Sequence, residues 1–248
     1  MRMRSALLAG VCFTFMLGAT VDLSRAEGAA ALTGVVTSSE EGPMEGVLVT
    51  AKKDGSTIAT TVVTGKDGRY SFPAARLEPG DYAIKIRAAG YDLDGKGAAS
   101  IATDKPATAD LKLKKTKNLA SQLTTAEWLQ SMPGTPKQKD SLLGCVSCHT
   151  GERIVRSTHD ADEFVAVQKR MGTYANQSVP TRPQLRKAER LLEERGNTRN
   201  KAQQDRAEFL SSVNLSESST WSYPLKTLPR PSGRATNVIM TEYDLPRD

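Results

Sequence analysis

The chain has 248 residues, 38% of them hydrophobic and 25% charged, a balance that excludes a disordered or fibrous protein and leaves room for one large domain or two of ordinary size. Its 34 lysines and arginines against 28 aspartates and glutamates give a formal net charge of +6, and this modest excess without aromatic-basic patches excludes a nucleic-acid surface. Three cysteines are too few for a disulfide framework.

Residues 1–26 have the order of an export signal. Arg2 and Arg4 are basic, Ala6 to Val21 is apolar, and Ser24-Arg25-Ala26 supplies a small-x-small cleavage pattern. A signal peptide cut after Ala26 is expected, with the mature protein exported to the periplasm. The apolar run is interrupted by Gly and Thr and is shorter than the roughly 20 residues a spanning helix needs, so no stable membrane span is expected. Val11 stands before Cys12 where a lipoprotein signal wants a small residue. Cleavage removes Cys12 and leaves Cys145 and Cys148, in a mature chain of net charge +4 with 31 basic and 27 acidic residues.

From Leu32 to Leu113 apolar and polar residues alternate in short runs, the period of small strands. The runs 32–38, 46–53, 56–64, 68–72, 80–91 and 107–115 are separated by Glu41-Gly42-Pro43, Lys53-Asp54-Gly55, Lys66-Asp67-Gly68 and Glu78-Pro79-Gly80, all of them turn chemistry. An all-β sandwich is predicted over residues 30–115. Asp67-Gly68 reads as a hairpin turn, and Tyr70, Phe72 and Tyr82 read as core residues. The order Gly34-Val35-Val36, Gly46-Val47-Leu48-Val49, Thr64 to Phe72, Pro79-Gly80-Asp81-Tyr82 and Ala89-Gly90-Tyr91 resembles the carboxypeptidase regulatory-like domain, a prealbumin-like sandwich among the carbohydrate-binding-like folds. The resemblance implies a fold and no catalysis. It allows a carbohydrate or cell-envelope polymer as a ligand, with no residue assigned to one.

Residues 114–118 are lysine-rich and read as a linker, after which the period changes. Thr124 and Glu127 have the spacing of a capping box ahead of Trp128 and Leu129. Thr135-Pro136 starts a second helix expected to run to Gly144. Asp160 precedes a third, with Phe164, Val167, Gln168 and Met171 on one face. Leu185, Ala188, Leu191 and Leu192 mark a further helix, and Ala202 to Val213 the last. Residues 119–215 are predicted to be all-α.

Within this half lies Cys145-Val146-Ser147-Cys148-His149. Zinc would need two more ligands, and the chain offers only His149 and His159 and no further mature cysteine. A redox dithiol belongs on a strand-to-helix junction, and neither flank reads as a strand. A plain disulfide leaves His149 without a role. The order Cys-x-x-Cys-His is that of c-type haem attachment: Cys145 and Cys148 lie on one side of a turn and form thioethers with the two vinyl groups, and His149 follows as the proximal iron ligand. One covalent haem c is the expected cofactor. The helical half over 119–215, with its last helix in the run 204–216, resembles a monohaem c-type cytochrome domain, and 162–171 resembles small haem domains of periplasmic oxidoreductases. For the sixth iron ligand Met171 is favoured over Met132, Met240 and His159, because it ends a helix expected to face inward; simple core packing is the competing account of Met171.

Residues 216–248 read as an extended tail rich in Pro and Ser. Within it 238–248 resembles the opening strand of the propeller in the virginiamycin B lyase family, whose other blades are absent. Together these readings predict a non-enzymatic exported electron carrier serving a periplasmic redox protein or dehydrogenase, with a sandwich for docking. The alternatives are a carbohydrate- or envelope-binding scaffold and the haem subunit of a separately encoded enzyme.

Overall fold

The computed structural model describes residues 29–174, 184–185, 201–214 and 223–245. The expected signal peptide and most of the helix expected around Leu191 lie outside the described residues. Among the described residues no helix is long and apolar enough to cross a membrane.

The alternating segments form two sheets. The first contains β1 (Ala30–Ser38), β2 (Gly42–Pro43), β5 (Arg69–Pro73), β7 (Tyr91–Leu93), β9 (Ala107–Thr108) and β10 (Leu111–Lys115), ordered β2-β1-β10-β7 with β5 and β9 also pairing β1. The second contains β3 (Leu48–Lys53), β4 (Ile58–Val63), β6 (Gly80–Arg87), β8 (Ala98–Ile101) and β11 (Ile239–Tyr243), ordered β11-β4-β3-β6-β8. Each strand turns alternate residues inward. Leu32, Val36, Val47, Val49, Phe72, Ile84 and Leu113 are all buried between the sheets. Tyr70, Phe72 and Tyr82 are core residues as expected, and both tyrosine hydroxyls find carbonyl acceptors, on Ala109 and Glu78. The last sandwich strand continues through Lys115, so the lysine-rich run is partly strand.

A second core gathers Trp128, Met132, Leu142, Ile154, Val155, Phe164, Val165, Phe209, Leu210 and Val213. The helices of this half are α1 (Thr125–Ser131), α2 (Pro136–Asp140), α3 (Gly151–Val155), α4 (Ala161–Gly172) and α5 (Lys201–Val213), and all but α2 supply buried residues to this core. Capping boxes start α1 at Thr124, α2 at Thr135 and α4 at Asp160. Two expectations are corrected. The second helix stops at Asp140 and does not run to Gly144, because the following residues tighten into i→i+3 turns, with Leu142 N–H donating to Lys139 O and Cys145 N–H to Leu142 O. The short α3 directly after the cysteine motif was not expected from the sequence; at five residues it is too brief to show a period.

The carboxyl-terminal segment is not a loose tail. Tyr223 is buried in the helical core, Lys226 N–H donates to Ser131 Oγ at 2.8 Å, and Leu228 N–H to Glu127 Oε1 at 3.0 Å. The chain then crosses to the sandwich. Arg230 Nε donates to Glu45 O at 2.9 Å and its guanidinium pairs with Glu41. Pro231 O sits where a side chain on Gly46 would be, 2.1 Å from the Cβ position, and Gly46 also has φ +77, so only glycine fits under this crossing. Finally β11 adds antiparallel to β4, with Ile239 opposite Val62 and Tyr243 opposite Ile58. The stretch that resembles a propeller's first strand is, in this chain, an edge strand of the sandwich.

Glu127 is the point where both domains and the strap meet. It is 3% exposed, and its Oε2 accepts from Thr124 N–H at 2.7 Å and from the Thr124 hydroxyl at 2.8 Å. Arg87 of β6 lies 3.6 Å from the same oxygen. Burial pushes the carboxyl up, but the N–H groups of Thr124 and Leu228, the Thr124 hydroxyl and Arg87 outweigh it and hold it below its ordinary value. A lowered native value means that the carboxylate stabilises the fold fully above the ordinary carboxylate range, and that this contribution is lost as pH falls through the lowered value. Glu127→Gln is expected to cost about 2 kcal/mol near neutral pH and to flatten the acid limb of a stability-against-pH curve measured by urea denaturation.

Candidate functional site

The cysteine motif lies on the turn between α2 and α3. Leu142, fully buried, anchors the start of this turn, and Cys145 and Val146 N–H both donate to its carbonyl, at 2.8 and 3.1 Å. Ser147 Oγ donates back to Gly144 O at 2.8 Å. The turn ends where Thr150 leads into α3, and there Gly151 packs so closely on Trp128 that an added Cβ would be 3.1 Å from Trp128 Cβ. The buried indole therefore fixes the residue two places after His149.

Both thiols are unbridged and half-buried. Cys145 packs against the helical core; burial pushes its thiol up, Arg206 opposes this, and the neighbouring Cys148 adds to it. Cys148 Sγ lies 3.7 Å from Ser147 Oγ. His149 is half-buried, and its Nδ1 donates to Thr150 O at 3.3 Å, which puts the ring's lone pair on Nε2. Cys148, His149, Thr150, Glu152, Arg153 and Arg156 line a shallow depression of about 500 Å³, along whose floor Arg156 Nε pairs with Glu152 Oε1 at 2.8 Å.

The sequence-predicted residues Cys145, Cys148 and His149 are thus brought together on one turn. Met171 is not among the residues lining the depression. It lies one residue from the end of α4 and is 39% exposed; the inward face of that helix is carried by Phe164 and Val165 instead. The expectation that Met171 points inward is corrected, and so is the account of it as core packing. Met132 caps the end of α1 and is 2% exposed in the helical core. Met240 belongs to β11, opposite Thr61 of the sandwich. His159 stands just before α4, with its ring edge-on to Phe164 at 5.5 Å and Nδ1 3.6 Å from Glu163. Among the described residues no group of three or more His, Cys, Asp or Glu is placed to hold a metal ion. Sequence reasoning missed the influence of Arg206, whose charge opposes the effect of burial on the Cys145 thiol; it depends on α5 folding back from far downstream, and nothing in its sequence surroundings signals that.

The donor set suits a covalently attached porphyrin. It offers two unbridged thiols on one turn, one against the apolar core and one at the rim of a depression, and an imidazole whose Nδ1 is already committed.

Residues 31–114, which form the sandwich, match the family model of the carboxypeptidase regulatory-like domain. No curated protein matches the chain. Several solved structures show similarity, among them the following three. The Bacillus anthracis TIE protein is 20% identical with a TM-score of 0.30, over 36% of this chain and 17% of its own. The Klebsiella pneumoniae 5-hydroxyisourate hydrolase is 21% identical with a TM-score of 0.22, over 35% of this chain and 98% of its own. The dioxygenase domain of a dioxygenase carbohydrate-binding protein fusion from Streptomyces sp. SirexAA-E is 15% identical with a TM-score of 0.22, over 38% of this chain and 86% of its own.

Proposed function

We propose that this protein is an exported, periplasmic monohaem c-type cytochrome that carries electrons to or from a periplasmic redox protein or dehydrogenase, and that its sandwich is a docking module. The observation that carries the reading is the single turn presenting Cys145, Cys148 and His149, with both thiols unbridged and the imidazole oriented by Thr150 O. Cys145 and Cys148 hold the porphyrin through thioether bonds. His149 Nε2 is the proximal ligand. When bound, haem supplies a one-electron couple between ferrous and ferric iron. The chain's part is to exclude water from the Cys145 side by the helical core, to orient His149, and to leave the Cys148 side at the surface, where a partner can approach. No substrate chemistry is required of any side chain.

Covalent haem in the exported full chain tests this reading, and haem staining of the denatured protein reads it.

Met171 is the distal ligand in this proposal. Its place at the exposed end of α4 leaves its thioether uncommitted to the core, and a Met opposite His raises the potential. Met171→Ala is expected to remove the near-infrared sulfur-to-iron band of the ferric protein, to lower the midpoint potential and to make the ferrous form bind carbon monoxide rapidly. An unchanged spectrum in Met171→Ala, with the band lost in Met132→Ala or Met240→Ala, moves the ligand to that residue.

A further inference from the structure

The strand β11 (Ile239–Tyr243) closes one end of the second sheet, and among the described residues it pairs only with β4. Asp244 N–H, just past the strand, donates to Thr57 O at 2.8 Å, in the register that sets Tyr243 opposite Ile58 and Ile239 opposite Val62. Ladder bonds alternate along an antiparallel pair, so Met240 and Glu242 turn their backbone N–H and C=O groups toward β4, and Ile239, Thr241 and Tyr243 turn theirs to the open edge. That edge has none of the usual protection: residues 239–243 contain no Gly, Pro or Lys, and their register with β4 has no bulge. The ends at β2, β7 and β8 are blunter. β2 is only Gly42-Pro43, β7 is three residues long, and β8 carries the small residues Ala98, Ala99 and Ser100.

The same edge gathers apolar surface. Ile58, Val238, Met240, Tyr243 and Leu245 are five of the nine large apolar side chains exposed among the described residues, and Tyr243 is 67% exposed. Such a concentration marks a surface that is covered in use.

We propose that β11 is a dimerisation edge and that its occupant is β11 of a second copy of this chain, antiparallel about a two-fold axis at Thr241. The pattern is self-complementary, as a two-fold interface requires. With Thr241 opposite its own counterpart, Ile239 of each copy falls opposite Tyr243 of the other, on the side of the sheet where Ile239 packs against the sandwich core. Every open backbone group of residues 239, 241 and 243 then has a partner, and an aliphatic–aromatic cross-strand pair closes each half. The strand's one charge, Glu242, falls opposite Met240 of the second copy, and Asp244 is paired with Lys52 of its own chain at 2.5 Å, so no like charges meet directly. A foreign strand would also satisfy the backbone groups; the match of Ile239 with Tyr243 about Thr241 is what favours a second copy. The proposal stands on this strand alone and not on the haem reading.

Two strands of five residues make a small interface, so association is expected in the micromolar range, and sedimentation equilibrium of the exported full chain over roughly 1–200 µM reads it. The parent's mass is expected to rise with concentration from one chain toward two. Thr241→Pro removes an N–H that points away from β4, so the ladder to β4 survives and the outer edge is blocked. This variant is expected to remain a single chain throughout, with unchanged strand circular dichroism. Tyr243→Lys, at an exposed position, replaces the aromatic half of the pair with a charge and is expected to weaken association about tenfold or more. A parent that stays a single chain at the highest concentration overturns the proposal, whether the edge is then bare or taken by another protein. So does a parent dimer that persists in folded Thr241→Pro, which puts the interface elsewhere. If Thr241→Pro does not fold, Tyr243→Lys decides: weakened association supports the pairing and parent-like association overturns it.

Discussion

Changing Cys145 and Cys148 together to serine is expected to abolish covalent haem while leaving the sandwich folded. The two thiols are the only ones in the chain beyond residue 26, and a hydroxyl does not add to a vinyl group under the same conditions. The helical half should suffer more than the sandwich. Leu143 is 56% exposed directly before the motif, so apolar surface beside the turn is open to solvent, and a porphyrin there would cover it at roughly 25 cal/mol per Å². The sandwich core runs from Ala31 to Leu113, with Ile239 of β11 packed against it, and shares no buried residue with the helical core. Limited proteolysis of the double variant should therefore cut within residues 119–215 and spare residues 30–115. A variant that still carries thioether-bound haem would contradict the assignment of both cysteines.

Trp128→Ala is expected to be the most damaging single change in the helical half, at about 3–5 kcal/mol. The indole is 0% exposed. It is the element against which Gly151 packs, so the cavity left behind opens directly under the start of α3 and loosens the residue pair His149-Thr150. Urea denaturation followed by helical circular dichroism measures the loss. The same variant should load haem poorly even at low temperature, because the turn that presents both thiols would no longer be held against the core. A cost below about 1 kcal/mol would mean that the site collapses around the missing ring, as the more adaptable cores do.

How much of this was legible in the sequence depended on how local the cause was. The sandwich could be read because a half-buried strand repeats every two residues and its turns are marked by Gly and Pro, as in Lys66-Asp67-Gly68. The helix starts at Thr124, Thr135 and Asp160 were legible for the same reason, since a capping box is complete within four residues. The end of α2 was not, because the turn that replaces the helix is set by the burial of Leu142 in a core assembled from distant helices. The strap was misread as a tail: Pro and Ser made residues 216–235 look like linker, whereas its partners Glu127, Glu41 and Glu45 are far away in sequence. At the site, the gathering of Cys145, Cys148 and His149 on one turn was legible because the three stand within five consecutive residues. The charge that Arg206 brings to bear on Cys145 was invisible, since it comes from a helix far downstream, and the spacing that put Met171 on the Phe164 face ignored that Phe164 and Val165 already fill the core side of α4.

The central claim, that the turn holding Cys145, Cys148 and His149 carries covalent haem, is tested most directly by exporting the full chain in a host that attaches haem c and extracting the purified protein with acid acetone. The account predicts a red protein whose haem stays with the polypeptide and whose intact mass exceeds that of the chain by one haem. A colourless protein, or haem that passes into the acetone, would contradict it.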